Sequence, residues 1–466
     1  MSTSCSTPWS DRKHPLDQAA LTAVRMFPVG IIRVRAEKKI NGGTMNFNRR
    51  SFLAGGVAAS VASQLGCGRE NDAAPVLGDL DSARRDFPRS ENGVYMNHAS
   101  QHPLSVQSAR AMRQYADYLA NDCSRAGWYE VSDEAKALGG AYKREVKELF
   151  ARLINARPSE IAFCLSTTVG ENMVVNGMGI QESGGNVVTN DLHYSSCLYN
   201  YKMRQQRGLD VRIVKHRDWR LDPADFEKVI DDKTKLVALT LVSNVNGLLA
   251  PVKEIADIAH RNGAYVYADI IQACGAVPID VQAMGIDFAA CSTYKWLMGL
   301  RGFAYLYIKE DLQGTVVQPV QFGGGVSFNY EPWVEDPDSG KGEIVYRPKQ
   351  TASQYEVGNV SSVGCVCQQE ALNFIHRVGV DEIQAHAASL TGFLQEEMPK
   401  IGYASITPSG NRSPITTFRV PDPKEAERRL KQAHIEVTLR FGNQMRVSVS
   451  VMNNQQDVEA LVAALA

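Results

Sequence analysis

Apolar positions along this chain follow two periods that take turns. Leu236-Val-Ala-Leu-Thr-Leu-Val is an unbroken apolar run, as expected of a strand buried on both faces. Shorter runs at 161–165, 186–189, 211–214, 264–268, 287–291 and 302–308 read as strands as well. Between them, residues 105–120, 130–153, a stretch from about 168, and 251–262 place Ala, Leu, Met and Tyr at helical spacing. Strand and helix alternating at these lengths predict an α/β fold with a mostly parallel, doubly wound sheet and right-handed crossovers. A helix from about 360, strands near 415–420 and 445–451 and a helix from 455 predict a smaller α+β unit. The expected division is a leader and linker over 1–90, a large domain with its N-terminal segment over 91–345, and a small domain over 346–466. Residues 326–356 are polar and irregular, and so long a segment is expected to lie over the active site or across a subunit boundary.

Composition narrows the classes. The 466 residues are 44% hydrophobic, ordinary for a globular enzyme. Fifty basic against 51 acidic residues leave no basic face to hold nucleic acid. Nine cysteines, an odd number set mostly in apolar runs, read as reduced core thiols rather than a disulfide framework. Cys365-Val-Cys367 is too tightly spaced for zinc and has no partner pair, so no metal is expected.

The start of the chain carries a different message. Asn48-Arg49-Arg50-Ser51-Phe52-Leu53 precedes a weakly apolar run of small residues, the pattern of a twin-arginine export signal over about 45–66. Met45 is a candidate start, and cleavage is expected after Ala62. The run is too short to span a membrane, so the expected destination is the periplasm, reached through the twin-arginine translocation machinery. Leu65-Gly66-Cys67 resembles part of a lipid-attachment site, but Gln64 fits that poorly. An enzyme that closes its core around a cofactor gains from being exported already folded.

The chemistry gathers at two strand ends. Asp269 ends the apolar strand Ala264-Tyr-Val-Tyr-Ala-Asp, where a carboxylate is costly unless paired. Alone it could cap a helix. Lys295, set between Tyr294 and Trp296 after the next strand, changes that reading. A pyridoxal phosphate enzyme needs a lysine to hold the aldehyde as a Schiff base and an acid to keep the pyridine nitrogen protonated. Gln272 is either a turn residue or a donor to the cofactor's phenolic oxygen. Ser166-Thr167-Thr168 before a helix is a common capping sequence that would also cradle a phosphate, with Ser292 and Tyr294 reaching the same oxygens. His193 reads as a core histidine or as a plate stacked on the ring. Arg446, on a short strand of the small domain, reads as an edge residue or as a bidentate clamp for a substrate carboxylate.

Taken in order, these segments resemble the class V aminotransferase family of fold-type I pyridoxal phosphate enzymes over roughly residues 92–464. The family includes cysteine desulfurases, selenocysteine lyases, isopenicillin N epimerase and kynureninase. The matching motifs are Tyr95-Met-Asn97-His98-Ala-Ser100, Ser166-Thr-Thr-Val-Gly, Asp191-Leu-His193 and Leu241-Val-Ser-Asn244-Val. Asp269-Ile-Ile-Gln272, Ser292-Thr-Tyr-Lys295, Gly323-Gly-Gly, Tyr355-Glu-Val-Gly358 and Arg446-Val-Ser complete them. The resemblance implies a homodimer, His193 on the ring, Asn244 near the ring oxygen, and Asn97, His98 and Arg446 at the substrate.

Two departures bear on activity. Desulfurases of the family carry a nucleophilic cysteine shortly before the arginine, and Leu430 to Met445 contains none. Tyr294 stands where they usually have histidine. The expectation is therefore aminotransferase-like chemistry at the amino-bearing carbon of an amino acid or peptide-like substrate. C–S elimination and epimerisation are the alternatives on the same fold, and a non-catalytic cofactor-binding role is the remaining one. With the leader, the resemblance extends to exported enzymes that tailor the pyoverdine siderophore.

Overall fold

The computed structural model describes residues 78–121, 142–323 and 349–466. Residues 45–66, read above as an export signal, Cys67, residues 130–141 and residues 326–348 of the polar segment lie outside them. In chain order the strands are β1 (Val94–Tyr95), β2 (Ile161–Cys164), β3 (Asn186–Asn190), β4 (Asp210–Val214), β5 (Thr234–Thr240) and β6 (Tyr265–Asp269). There follow β7 (Phe288–Ser292), β8 (Ala304–Ile308), β9 (Ile415–Arg419), β10 (Ile435–Glu436), β11 (Thr438–Arg440) and β12 (Gln444–Ser448). The helices are α1 (Gly78–Arg85), α2 (Val106–Asn121), α3 (Tyr142–Leu153), α4 (Thr167–Gly177), α5 (Ser195–Gln206), α6 (Pro223–Glu227) and α7 (Val252–Arg261). Then come α8 (Ser362–Val378), α9 (Val380–Glu397), α10 (Pro423–Gln432) and α11 (Gln455–Leu465).

Strands β2 to β8 form a seven-stranded sheet in the order β2-β8-β7-β6-β5-β3-β4. It is parallel except for β8, which runs against both β7 and β2. Its side chains alternate between two cores, as the two-residue period of a strand requires. Val188, Val237, Leu239, Val266 and Ala289 face one core with α3, α7 and α8. Val187, Leu236, Ala238, Tyr267 and Ala290 face the other, with α4 and α5. Both faces are covered, which is why these strands are apolar throughout.

A third core fills the C-terminal part, where the sheet β11-β12-β9 packs on α9, α10 and α11 through Leu394, Phe418, Met445, Val447 and Leu461. The N-terminal segment joins this part. β1 pairs in parallel with β10, and Asn97 bridges to Ser448. Among the described residues no helix is long and apolar enough to cross a membrane.

Three structural reasons fix the site. Parallel order places the C-terminal ends of β3, β5, β6 and β7 along one edge, so Asp269 and Ser292 end neighbouring strands. Helix α4 begins immediately after β2, capped by Ser166, whose hydroxyl accepts from the Val169 N–H. Gly170 lets that helix lie directly on β7, because a Cβ there would stand 2.7 Å from the Ala290 Cβ.

Candidate active site

Lys295 follows β7 in a tight turn and is 7% exposed. Its Nζ lies 5.6 Å from the Tyr294 ring centroid and 5.9 Å from that of Tyr194. Burial pulls its pKa down to about 8; Asp269 opposes that, and the guanidinium of Arg446 adds to it. A lysine this easily deprotonated is a usable nucleophile at neutral pH. Trp296 is not part of this aromatic frame. Its indole N–H donates to Gln272 Oε1 at 2.9 Å.

Asp269 is 1% exposed, and its carboxylate accepts from the Ile271 N–H at 3.0 Å. Burial pushes its pKa up to about 6, while His193 and Lys295 hold it down. Gln272 is engaged at both ends, since its Nε2 donates to the Ala99 carbonyl at 3.0 Å as well. Only its second N–H is left to meet a cofactor oxygen.

The phosphate loop and the lysine strand are clamped together. The Thr167 N–H donates to Ser292 Oγ at 2.9 Å, and the Ser292 N–H donates to Thr167 Oγ1 at 2.9 Å. These two hydroxyls stand 3.1 Å apart at the start of α4, where the helix dipole favours an anion. Thr168, next in the turn, is half-buried and borders Cys197.

His193 is 1% exposed, and its Nδ1 accepts the Tyr194 N–H at 2.7 Å. Its Nε2 stands 3.4 Å from Glu171 Oε1, an ion-pair distance without hydrogen-bond alignment. Burial disfavours the imidazolium and Glu171 favours it, with a raised pKa as the balance. The Tyr194 N–H on Nδ1 opposes that second proton, so the geometry holds the proton on Nε2.

Arg446 on β12 is 5% exposed, and its Nη2 donates to Ser100 Oγ at 2.7 Å and Thr438 Oγ1 at 3.2 Å. Its Nη1 donates to the Asn244 carbonyl at 3.2 Å, and Arg440 donates to the same carbonyl at 2.6 Å. Burial, then Arg440, pulls the Arg446 guanidinium down from its ordinary value. A buried guanidinium and a half-buried one, held only on carbonyls and hydroxyls, are short of negative charge, so the pair is suited to an anionic group. Asn97 reaches this clamp indirectly, because Thr438 Oγ1 donates to Asn97 Oδ1 at 2.5 Å.

One expected contact is corrected. His98 is 0% exposed, its Nε2 is 3.0 Å from Asn453 Oδ1, and its ring packs on Tyr95 and His102. The segment turns it inward, and the next polar residue, Ser100, is the one that meets Arg446. Ser100, Thr438, Arg440, Tyr194 and Glu171 were not singled out from the sequence as site residues. Only Glu171 left a trace there, as an acid two residues before the apolar stretch Met173-Val-Val of its helix.

A cofactor that is anionic at one end and bears a ring nitrogen at the other fits these residues. Asn244 Oδ1 and Arg446 Nε are buried without hydrogen-bond partners, the start of α4 favours an anion through its dipole, and Asp269 is an acid without a cationic hydrogen-bond donor. Fold and site together define a fold-type I pyridoxal phosphate enzyme, with Lys295 placed to hold the aldehyde and Asp269 the ring nitrogen. The profile of the family described as Aminotransferase class-V matches residues 94–461, and the chain belongs to that family. A "probable cysteine desulfurase" of Methanothermobacter thermautotrophicus is 32% identical over 323 residues, covering 69% of this chain and 76% of that one. The cysteine desulfurase of Thermococcus onnurineus superposes with TM-score 0.70 at 22% identity, over 84% of this chain and 97% of that one. The cystine C–S lyase C-DES, solved with cysteine persulfide, superposes with TM-score 0.71 at 21% identity, over 81% and 98%. Both superpositions show the shared fold.

Proposed function

We propose that this chain is a pyridoxal phosphate-dependent C–S lyase, acting by β-elimination on a sulfur-bearing α-amino acid without a protein-bound persulfide. The observation that carries the reading is that, among the described residues, the segment leading into Arg446 brings no thiol to the cleft that holds Lys295 and Asp269. The segment Leu430–Met445, before Arg446, has no cysteine. Burial pushes the thiols of Cys164 and Cys365 up to about 12, that of Cys367 to about 11, and those of Cys197 and Cys291 further still. Such thiols are poor nucleophiles. The names of the relatives, desulfurase and C–S lyase, point to sulfur amino acids, and between those two chemistries the missing thiolate favours the lyase.

The bound cofactor supplies a sink for the electron pair left at Cα. The protein does the rest. Arg446 and Ser100 hold the α-carboxylate, and Lys295 takes the Cα proton. The Cβ–S bond then breaks with its electron pair leaving on sulfur as a Cα–Cβ double bond forms. The released enamine hydrolyses to pyruvate and ammonium.

The test is to incubate the reconstituted protein with cysteine or cystine and follow each product. Pyruvate and ammonium in equal amounts are expected, with one equivalent of sulfide from cysteine or of cysteine persulfide from cystine, all lost in Lys295→Ala. Alanine in place of pyruvate would mean desulfuration and overturn the proposal. A keto acid formed only with an added keto-acid acceptor would restore the aminotransferase expectation, and racemised substrate would make the protein an epimerase.

We further propose export by the twin-arginine route, supported by Arg49-Arg50-Ser51-Phe52-Leu53. Changing both Arg49→Lys and Arg50→Lys should leave the folded protein in the cytoplasmic fraction. Wild-type amounts of that variant in the periplasm would sink the idea.

A further inference from the structure

Glu171 is 0% exposed, and both of its carboxylate oxygens lack a hydrogen-bond partner. It sits on the buried side of α4, in a core otherwise built of Val174, Val187, Ala238 and Ala290. A charge in such a place is costly unless it serves another group. Its neighbours are His193, whose Nε2 is 3.4 Å from Oε1, together with the thiol of Cys197 and the hydroxyl of Tyr201. Burial works against the ionised carboxylate, and these three neighbours outweigh it, so its pKa is lowered.

The donors of Glu171, His193 and Cys197 all lie within 4.8 Å of one another, which raises the question of a metal. The tautomer answers it. A ligating histidine donates its other ring N–H to an acceptor, whereas Nδ1 of His193 receives the Tyr194 N–H at 2.7 Å. With Nδ1 accepting, Nε2 must carry the proton, and Nε2 is the atom beside the carboxylate.

We propose that Glu171 is a positioning residue for His193. Its buried carboxylate, 3.4 Å from Nε2, attracts the proton there and, together with the Tyr194 N–H on the opposite edge, fixes both the tautomer and the plane of the imidazole. Acid–imidazole pairs orient histidine in this way at other buried sites.

The inference rests on the reading of this cleft as the cofactor site only for its second measurement. First, the apoprotein is labelled with ¹⁵N-histidine, and the His193 signals are assigned by their loss in His193→Gln. Wild type should show the Nε2–H tautomer. Glu171→Gln keeps an acceptor in place and should retain it, whereas Glu171→Leu should show a mixture. Second, cofactor binding is followed by its visible circular dichroism. Glu171→Leu should weaken binding about tenfold and reduce the band, with Glu171→Gln close to wild type. Thermal unfolding of the apoprotein separates this from a folding defect, since Glu171→Gln and Glu171→Leu both remove the ionised carboxylate and should both unfold in one cooperative step, so a binding loss confined to Glu171→Leu belongs to the imidazole.

A packing role for Glu171 predicts the reverse order, with the leucine variant matching or exceeding the glutamine variant in cofactor binding, and that order overturns the proposal. Retention of a pure Nε2–H tautomer in Glu171→Leu overturns it equally. A wild-type protein that binds no pyridoxal phosphate would instead overturn the reading of the site, and the tautomer measurement would stand apart from that failure.

Discussion

Asp269→Asn should make the apoprotein more stable and the enzyme nearly inactive. The two effects have one origin. Burial pushes the Asp269 pKa up to about 6 from an ordinary value of 3.8, so the ionised carboxylate is less favourable folded than unfolded. The sign follows from proton counting. Between those two values the folded state binds more protons, so stability falls as pH rises through that window and the full cost is present at pH 7. A shift of this size corresponds to roughly 2–3 kcal/mol. An asparagine carries no charge and can still accept the Ile271 N–H, so the apoprotein should gain about that amount at pH 7 and little at pH 4. Urea unfolding at the two pH values measures the difference. With cofactor bound, the missing charge leaves the ring nitrogen without its partner, and losing a buried charged partner costs about 2–5 kcal/mol. Turnover should fall by about 10² to 10³-fold. A variant that keeps its rate, or an apoprotein equally destabilised at both pH values, would remove Asp269 from the role assigned to it.

The residues that were legible in the sequence share a physical cause. Asp269 and Lys295 stood out because polar groups at the ends of doubly buried strands contradict the apolar pattern around them. Thr167 and Ser292 were legible as hydroxyls at a helix start and a strand end, though their mutual hydrogen bonds were not. What stayed hidden depended on which way a side chain turns. His98 and Ser100 are two residues apart in one polar turn, yet the first is sealed against Asn453 and the second lies under Arg446. The opposed direction of β8 was hidden too, since an apolar run does not declare its direction. Helix α5, Ser-Ser-Cys-Leu-Tyr-Asn-Tyr-Lys, buries only Cys197 and Tyr201 and so offers no apolar stripe to read. Helix α10 is charged on most of its surface and is fixed by its Asp422 cap and by Ala426 and Leu430 beneath it.

Glu356→Ala should destabilise the fold severely although Glu356 is not a catalytic residue. Glu356 Oε1 lies 2.6 Å from Lys147 Nζ on α3 and accepts the Phe163 N–H of β2 at 3.0 Å, with side-chain exposures of 13% for the lysine and 7% for the acid. Lys147 also donates to Ser353 Oγ at 2.8 Å and stands over the Phe163 ring at 5.0 Å. The acid therefore ties α3, β2 and the segment before α8 together. Its removal leaves a buried ammonium and a buried N–H unpaired, a loss of about 3–5 kcal/mol, visible in urea unfolding as a lower midpoint at unchanged slope. The pair itself is a different matter, because replacing a buried ion pair by apolar groups of similar volume is often neutral. Lys147→Met with Glu356→Leu should therefore recover all but the roughly 1–3 kcal/mol belonging to the Phe163 N–H. If the double variant were as unstable as Glu356→Ala, packing around β2 would be the cause rather than an orphaned charge. The same break should loosen cofactor retention, since β2 leads directly into Ser166 and Thr167, where the phosphate is expected to sit.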